Sequence, residues 1–465
     1  MTQPESAAQA GTSAQAGAAT QAGTSAQAGA ATQPGAAAQP GISAQAGAAT
    51  QPFVVMVKPV GSRCNLECSY CYYLRTKYAG QAPQPARMTD ETLERFIRQY
   101  IGASHGPAVS FTWHGGEPAL AGLDFYRLAV ELQRRYLPEG WNCWNSLQTN
   151  GLLLDDEWCS FLAEARFDVG LSIDGAQWIH DEYRKDHRGG GTYGQAAAAV
   201  RRLQDHGIQP DLLCTVTSSS AAEPLAVYRA LRGLGTGWIQ FIPIVRRDGD
   251  GKPTPDSVSG DGYGDFLCSI FDEWALHDLG RLDIQLFAEA MRVWSGGDAS
   301  LCWMAPSCGR ALIVERDGGV YSCDHYVDEA HHIGDIGVSR LGELADLPAQ
   351  LRFGEAKRSG LPGRCLSCAW LALCNGGCPK DRFALSEDGE PGLNHLCKGL
   401  SRFFSYAEPA AKLIALLTEK GYTPEAIMGE LRAYMRSRWK GVSRNDPCPC
   451  GSGRKAKNCC WERRP

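Results

Sequence analysis

The stretch Gly61-Ser-Arg-Cys64-Asn-Leu-Glu-Cys68-Ser-Tyr-Cys71-Tyr-Tyr73 places three thiols at Cys-x3-Cys-x2-Cys spacing, just after a short apolar run, Phe53–Val57. Three thiolates on one tight loop can hold three corners of a [4Fe–4S] cube. Such a cluster normally takes four cysteines, so three leave one iron open to a small molecule. The competing chemistry is a structural zinc loop, which usually shows a Cys-x2-Cys pair with a distant second pair.

A second set of thiols lies downstream. Cys308-x9-Gly318-x4-Cys323 is followed by Cys365-x2-Cys368-x5-Cys374-x3-Cys378 and then Cys397, with Cys302 six residues ahead of Cys308. Eight thiolates fill two four-iron clusters with no open position, and a fully ligated cluster suits electron transfer rather than substrate binding. Two structural zincs are the alternative, since thiolates serve both metals. Asp324 directly follows Cys323. A carboxylate there is either a hydrogen-bond acceptor behind a metal ligand or a general base. At the C-terminal end, Cys448, Cys450, Cys459 and Cys460 form Cys-x-Cys-x8-Cys-Cys. That set closes a tetrahedral zinc site on a segment too short for a core of its own. Cys143, Cys159, Cys214 and Cys268 fall in strand or helix segments and read as buried core.

These side chains need a scaffold. At 465 residues the chain exceeds one ordinary domain. A net charge of −5 gives no basic footprint for nucleic acid. No apolar run reaches the length of a membrane span. Nineteen cysteines at metal-like spacings, with no signal peptide visible, point to a reducing cytoplasmic interior. Residues 1–52 are expected to form a low-complexity tail without a fold: from 6 onward they carry no charge and repeat Ser-Ala-Gln-Ala-Gly variants.

From Phe53 onward, apolar runs alternate with amphipathic stretches. Strands are predicted at Phe53–Val57, Val109–Trp113, Asn145–Gln148, Val169–Ile173, Leu212–Val216 and Trp238–Ile242. Helices are predicted at Thr89–Ile101 and Thr192–His206, with Gly207 closing the second. Six strand–helix units imply an α/β fold with a parallel sheet. His114-Gly-Gly-Glu117-Pro118 follows the second strand, where glycines let a backbone approach closely and Glu117 can receive an ammonium. Thr149-Asn150-Gly151 and Ser172-Ile-Asp174-Gly175 form polar tips on the third and fourth strands. Helical sequence is expected at Pro409–Trp439, before the zinc tail.

The first thiol loop with its interleaved tyrosines and the Gly-Gly-Glu-Pro motif resembles the radical S-adenosylmethionine (SAM) superfamily. That resemblance implies a partial (β/α)6 barrel over 53–295, with SAM chelated on the open iron held by Cys64, Cys68 and Cys71. The later cysteines resemble a SPASM auxiliary-cluster domain, which implies 296–406 as that domain. It implies Cys302, Cys308, Cys323 and Cys378 on one [4Fe–4S] cluster and Cys365, Cys368, Cys374 and Cys397 on the other. A helical segment at 407–440 and a zinc motif at 441–465 complete the expected organisation. The tail resembles the SEC-C motif.

His180-Asp-x-Tyr183-Arg184, Gly189-Gly-Gly-Thr192-Tyr193 and Gln240-Phe-Ile-Pro243-Ile-Val-Arg-Arg247 resemble the anaerobic sulfatase-maturating branch in particular. This resemblance implies that Tyr70, Gly116, Ser172 and Arg184 contact SAM, with Arg247 a further pocket residue. A capping role for Ser172 and a surface ion pair for Arg184 are the bland alternatives. It also implies that Asp324 is the general base, as a cysteine or serine of a sulfatase is oxidised to Cα-formylglycine without dioxygen. The expected partners are an unfolded or nascent sulfatase polypeptide, a reductant such as ferredoxin or flavodoxin, and export or translation machinery met through the SEC-C tail. A SPASM-type maturase forming thioether or carbon–carbon crosslinks in a ribosomal peptide shares the clusters. A zinc-rich adaptor without catalysis is the reading from another class.

Overall fold

The structure, a computed structural model, describes residues 51–75 and 86–464. The tail expected at 1–52 lies outside the described residues up to residue 50. A ten-stranded sheet forms the centre. Its first six strands are β1 (Val54–Lys58), β2 (Ala108–Trp113), β3 (Asn142–Thr149), β4 (Phe167–Ser172), β5 (Asp211–Val216) and β6 (Trp238–Pro243). Each neighbouring pair among them is parallel, and helices lie between successive strands. The six expected strands are therefore present, each within a few residues of its predicted bounds.

The helix Asp90–Ala103 shows why the local sequence folds this way. Thr89 caps it by accepting from the Thr92 amide at 3.2 Å. Leu93, Phe96, Ile97, Tyr100 and Ile101 all face the core. On β2, Val109, Phe111 and Trp113 are buried in alternation, and β5 is buried along its whole length. A strand covered on both faces is what a parallel α/β sheet requires.

The sheet is open rather than a closed barrel, because β1 and β6 do not meet. Beyond β6 lies β7 (Asp283–Ile284). Beyond β1 lies β8 (Ala311–Glu315), in parallel register from Val54 opposite Ala311 to Lys58 opposite Glu315. Then β9 (Gly319–Tyr321) and β10 (His332–Asp335) continue the sheet antiparallel. The sheet therefore runs without interruption across residue 296, the boundary expected between the two cluster-bearing regions.

The helical segment expected at Pro409–Trp439 consists of two helices, Cys397–Glu419 and Pro424–Arg438, with Pro409 inside the first. The first of these crosses the helix Gly260–His277 very closely. A Cβ added at Gly399 would stand 2.0 Å from the Gly260 carbonyl oxygen, so only glycine permits this approach. That contact fixes the helix whose first residue is Cys397. Among the described residues, no helix is long and apolar enough to cross a membrane.

Candidate active site

The chemistry-bearing residues gather where the parallel strands end, the usual place for a site in such sheets. The loop Cys64–Cys71 follows β1 and is held from several sides. Gly116 donates to the Gly61 carbonyl at 2.8 Å, and Glu117 donates its amide to the Arg63 carbonyl at 2.7 Å. A Cβ at Gly116 would sit 2.0 Å from the Arg63 carbonyl oxygen. From the tip of β3, the Asn150 amide nitrogen donates to Asn65 Oδ1 at 2.7 Å and approaches Cys64 Sγ at 3.7 Å. Arg246 donates to the Ser69 carbonyl at 3.0 Å.

Asp174, just past β4, is the organising carboxylate on the far side of the loop. It accepts from the Tyr70 hydroxyl at 2.5 Å, from Arg184 Nε and Nη2 at 2.8 and 3.2 Å, and from the Thr215 amide at 2.8 Å. Burial pushes its carboxyl up, but the Arg184 guanidinium more than offsets this and holds it below its ordinary value. Arg184 is thus a buried partner of Asp174, not a surface ion pair. Ser172 ends β4 and accepts from Gln148 Nε2 at 3.2 Å.

Glu117 and Arg247, also expected at the SAM pocket, have different surroundings. Glu117 is fully buried, and its carboxylate accepts from Ala119 N at 3.0 Å, Thr149 Oγ1 at 2.8 Å and Asn150 N at 2.8 Å. Burial pushes its carboxyl up to about 7 against those three donors. It braces the tip of β3 from below. Arg247 lies on the surface with its guanidinium over the Phe383 ring at 5.2 Å. Its neighbour Arg246, which the sequence did not single out, is the one that reaches the thiol loop.

On the near side stands Asp324, brought there by the β1–β8 pairing and the turn through β9. Its Oδ1 pairs with Lys58 Nζ at 2.6 Å. Its Oδ2 accepts from the Tyr73 hydroxyl at 3.0 Å and from the Tyr72 hydroxyl. Tyr73 also meets His114 Nδ1 at 3.0 Å. Lys58 Nζ in turn lies 3.4 Å from Glu315 Oε1 and 4.5 Å from the Tyr73 ring centroid. Burial pushes the Asp324 carboxyl up, but the Lys58 charge and hydrogen bond, with His114 and His325 beside it, together outweigh this and hold it far below the ordinary carboxylate range. The carboxylate is held in its ionised form. Lys58, Glu315, Tyr72 and Arg246 had no place in the sequence reading. The available signal was a charged residue ending an apolar strand, at Lys58 and again at Glu315.

The eight downstream thiols sort into two sets by the thiols whose charge each one feels. Cys302, Cys308, Cys323 and Cys378 act on one another, and Cys365, Cys368, Cys374 and Cys397 on one another. Burial raises every thiol that shows a resolved shift in these sets. It also raises Cys64 to about 12 and Cys68 to about 11. Buried thiols within reach of one another's charge cannot ionise cheaply without a cation, so this donor chemistry fits metal clusters.

The tail thiols are closer still: the sulfurs of Cys448, Cys450, Cys459 and Cys460 lie within 4.8 Å of one another. That spacing suits a single ion. The tail is docked on the sheet's helices, through Arg454 to Asp265 at 2.5 Å and Arg438 to the Pro449 carbonyl at 2.7 Å. Arg438 also covers the Tyr406 ring at 4.3 Å.

Comparison with known proteins agrees with this geometry. The Radical SAM superfamily profile matches residues 59–219, and the SEC-C motif profile matches residues 444–462. The chain is 41% identical over 396 residues to the serine-type anaerobic sulfatase-maturating enzyme of Bacteroides thetaiotaomicron, covering 82% of this chain and 95% of that one. It is 34% identical to the cysteine-type enzyme of Clostridium perfringens, covering 77% and 97%. The solved structure described as native anSMEcpe with bound AdoMet and Cp18Cys peptide superposes with a TM-score of 0.71 at 34% identity, over 78% of this chain and 99% of that one. Streptococcus suis SuiB bound to S-adenosylmethionine, at 15% identity and a TM-score of 0.53, shares the fold. With its thiol loop, its strand-end carboxylates and relatives matched along nearly their full length, the chain belongs to the anaerobic sulfatase-maturating enzymes of the radical SAM superfamily.

Proposed function

We propose that this protein oxidises a cysteine or serine in the active-site segment of a sulfatase to Cα-formylglycine without dioxygen. The observation that carries the reading is Asp324, next to Cys323, paired with Lys58 and hydrogen-bonded by Tyr73, two residues past Cys71 of the first thiol loop. When bound, SAM and the [4Fe–4S] clusters supply the 5′-deoxyadenosyl radical and accept the second electron.

The chain's own residues do the rest. Cys64, Cys68 and Cys71 would hold the first cluster, and the two downstream quartets would hold the others. Tyr70, Gly116, Ser172 and Arg184 line the SAM side, where Asp174 fixes Tyr70 and Arg184 in place. Glu117 stands on the same side and holds Asn150 and Thr149 at the tip of β3. Asp324 takes the S–H or O–H proton of the substrate side chain, which loss of hydrogen from the adjacent carbon makes more acidic. The setting is cytoplasmic, with an unfolded or nascent sulfatase as substrate and a ferredoxin- or flavodoxin-type reductant.

Anaerobically reconstituted enzyme, SAM, reductant and a sulfatase peptide test the reaction by mass. Loss of two hydrogens from serine, or loss of two hydrogens together with exchange of sulfur for oxygen on cysteine, is expected. An intramolecular crosslink would instead mark a peptide-crosslinking maturase. Iron near zero with abundant zinc would mark an adaptor, against about twelve irons per chain for three four-iron clusters.

Zinc in the tail and recruitment of clients through it form a separate arm of the proposal. Cys459→Ser is expected to lose about one zinc per chain while keeping the iron, and to slow maturation of an exported sulfatase in cells. Unchanged maturation in that variant would reject recruitment.

A further inference from the structure

Lys58 has no exposed side-chain surface, and the reaction proposed above gives it no chemical task. Its place is set by β-sheet register: Lys58 on β1 stands directly opposite Glu315 on β8, at the carboxyl ends of both strands. From there the ammonium meets Glu315 Oε1 at 3.4 Å on one side and Asp324 Oδ1 at 2.6 Å on the other. The face of Tyr73 closes over it at 4.5 Å. A charge this thoroughly enclosed has one orientation, and it binds one oxygen of Asp324.

The other oxygen is treated differently. Oδ2 accepts from Tyr73 and from Tyr72, and Tyr72 is 36% exposed at the mouth of the site. The two carboxylate oxygens are therefore unequal. Oδ1 is anchored on a buried cation, while Oδ2 is held by two neutral hydroxyls, one of them on the part-exposed Tyr72.

We infer that Lys58, backed by Glu315, is a positioning residue that pins Oδ1 of Asp324 so that Oδ2 alone is presented to the substrate's side-chain proton, with the Tyr72 hydroxyl as its displaceable occupant. The inference rests on the reading of Asp324 as the base. In the step concerned, the substrate O–H or S–H bond breaks, its proton bonds to Oδ2, and the electron pair stays on the substrate heteroatom. A base free to rotate would miss that proton, because acid–base catalysis requires hydrogen-bond reach in the reacting pose.

The test compares Lys58→Met, Glu315→Gln and Asp324→Asn in the full-length, anaerobically reconstituted enzyme. Iron content, peptide Kd, deoxyadenosine release and formylglycine are all measured. For Lys58→Met the iron, the Kd and deoxyadenosine release are expected to stay at wild-type values. Formylglycine per deoxyadenosine should fall about 10²-fold, the scale of a displaced catalytic group. Glu315→Gln, which keeps the volume but loses the charge, should fall in the same direction, and it carries the test if the methionine variant does not fold. Undiminished coupling in these variants overturns the inference. So does loss of iron and of deoxyadenosine release together, which marks a purely structural residue. If Asp324→Asn stays coupled, the base reading itself fails. If Asp324→Asn alone uncouples, the base reading stands and the positioning role fails by itself.

Discussion

Asp324→Asn is expected to leave deoxyadenosine release close to wild type while formylglycine formation falls by about 10²–10⁴-fold, the range a positioned general base contributes. Asparagine keeps the shape of the side chain and can still accept from Tyr73, but it cannot take a proton. Lys58 keeps Glu315 as its counter-charge, so the replacement strands no buried cation; breaking a buried pair outright would cost about 3–5 kcal/mol. Separating the two products on one chromatogram reads the effect directly. Equal formylglycine from mutant and wild type would remove Asp324 from the chemistry.

The other large effect belongs to the thiol loop. Cys68→Ala should abolish deoxyadenosine release and cut iron by about four of about twelve atoms per chain, with the other two clusters retained. Gly116→Ala should give the same result without touching a thiol. Its added methyl would stand 2.0 Å from the Arg63 carbonyl oxygen, and the obstacle is backbone that cannot turn aside. The loop carrying Cys64 would have to move. Iron analysis with cluster spectroscopy decides it: a Gly116→Ala enzyme holding all its iron and cleaving SAM would show that the loop is not clamped from β2.

Much of this was legible in the sequence, for reasons that differ from part to part. The six strands were visible because buried parallel strands are short apolar runs, and Thr89 marked a helix start through its side chain. The thiols were visible because ligand spacing within a loop is local. The environment of Asp324 was not. Lys58 and Glu315 meet only through the β1–β8 pairing, and no periodicity records a partner that far along the chain. Arg246 and Arg247 were indistinguishable as neighbours in sequence; the backbone between β6 and the helix Gly260–His277 decides which one reaches Ser69. Pro409 was expected to open a helix, as proline favours a first turn. Packing of Gly399, Phe403 and Ala407 onto the preceding helices carries the helix through it instead.

The union of β1 with β8 also dictates an order of assembly. β1 is synthesised well before β8, and its outer edge stays unpaired until β8 emerges, more than half the chain later. A bare strand edge is a template for aggregation, so the nascent protein must be shielded or kept loose through that interval. Asp324, the proposed proton acceptor, arrives with the same late segment. A half-made chain therefore has a radical-generating loop but no finished oxidation site.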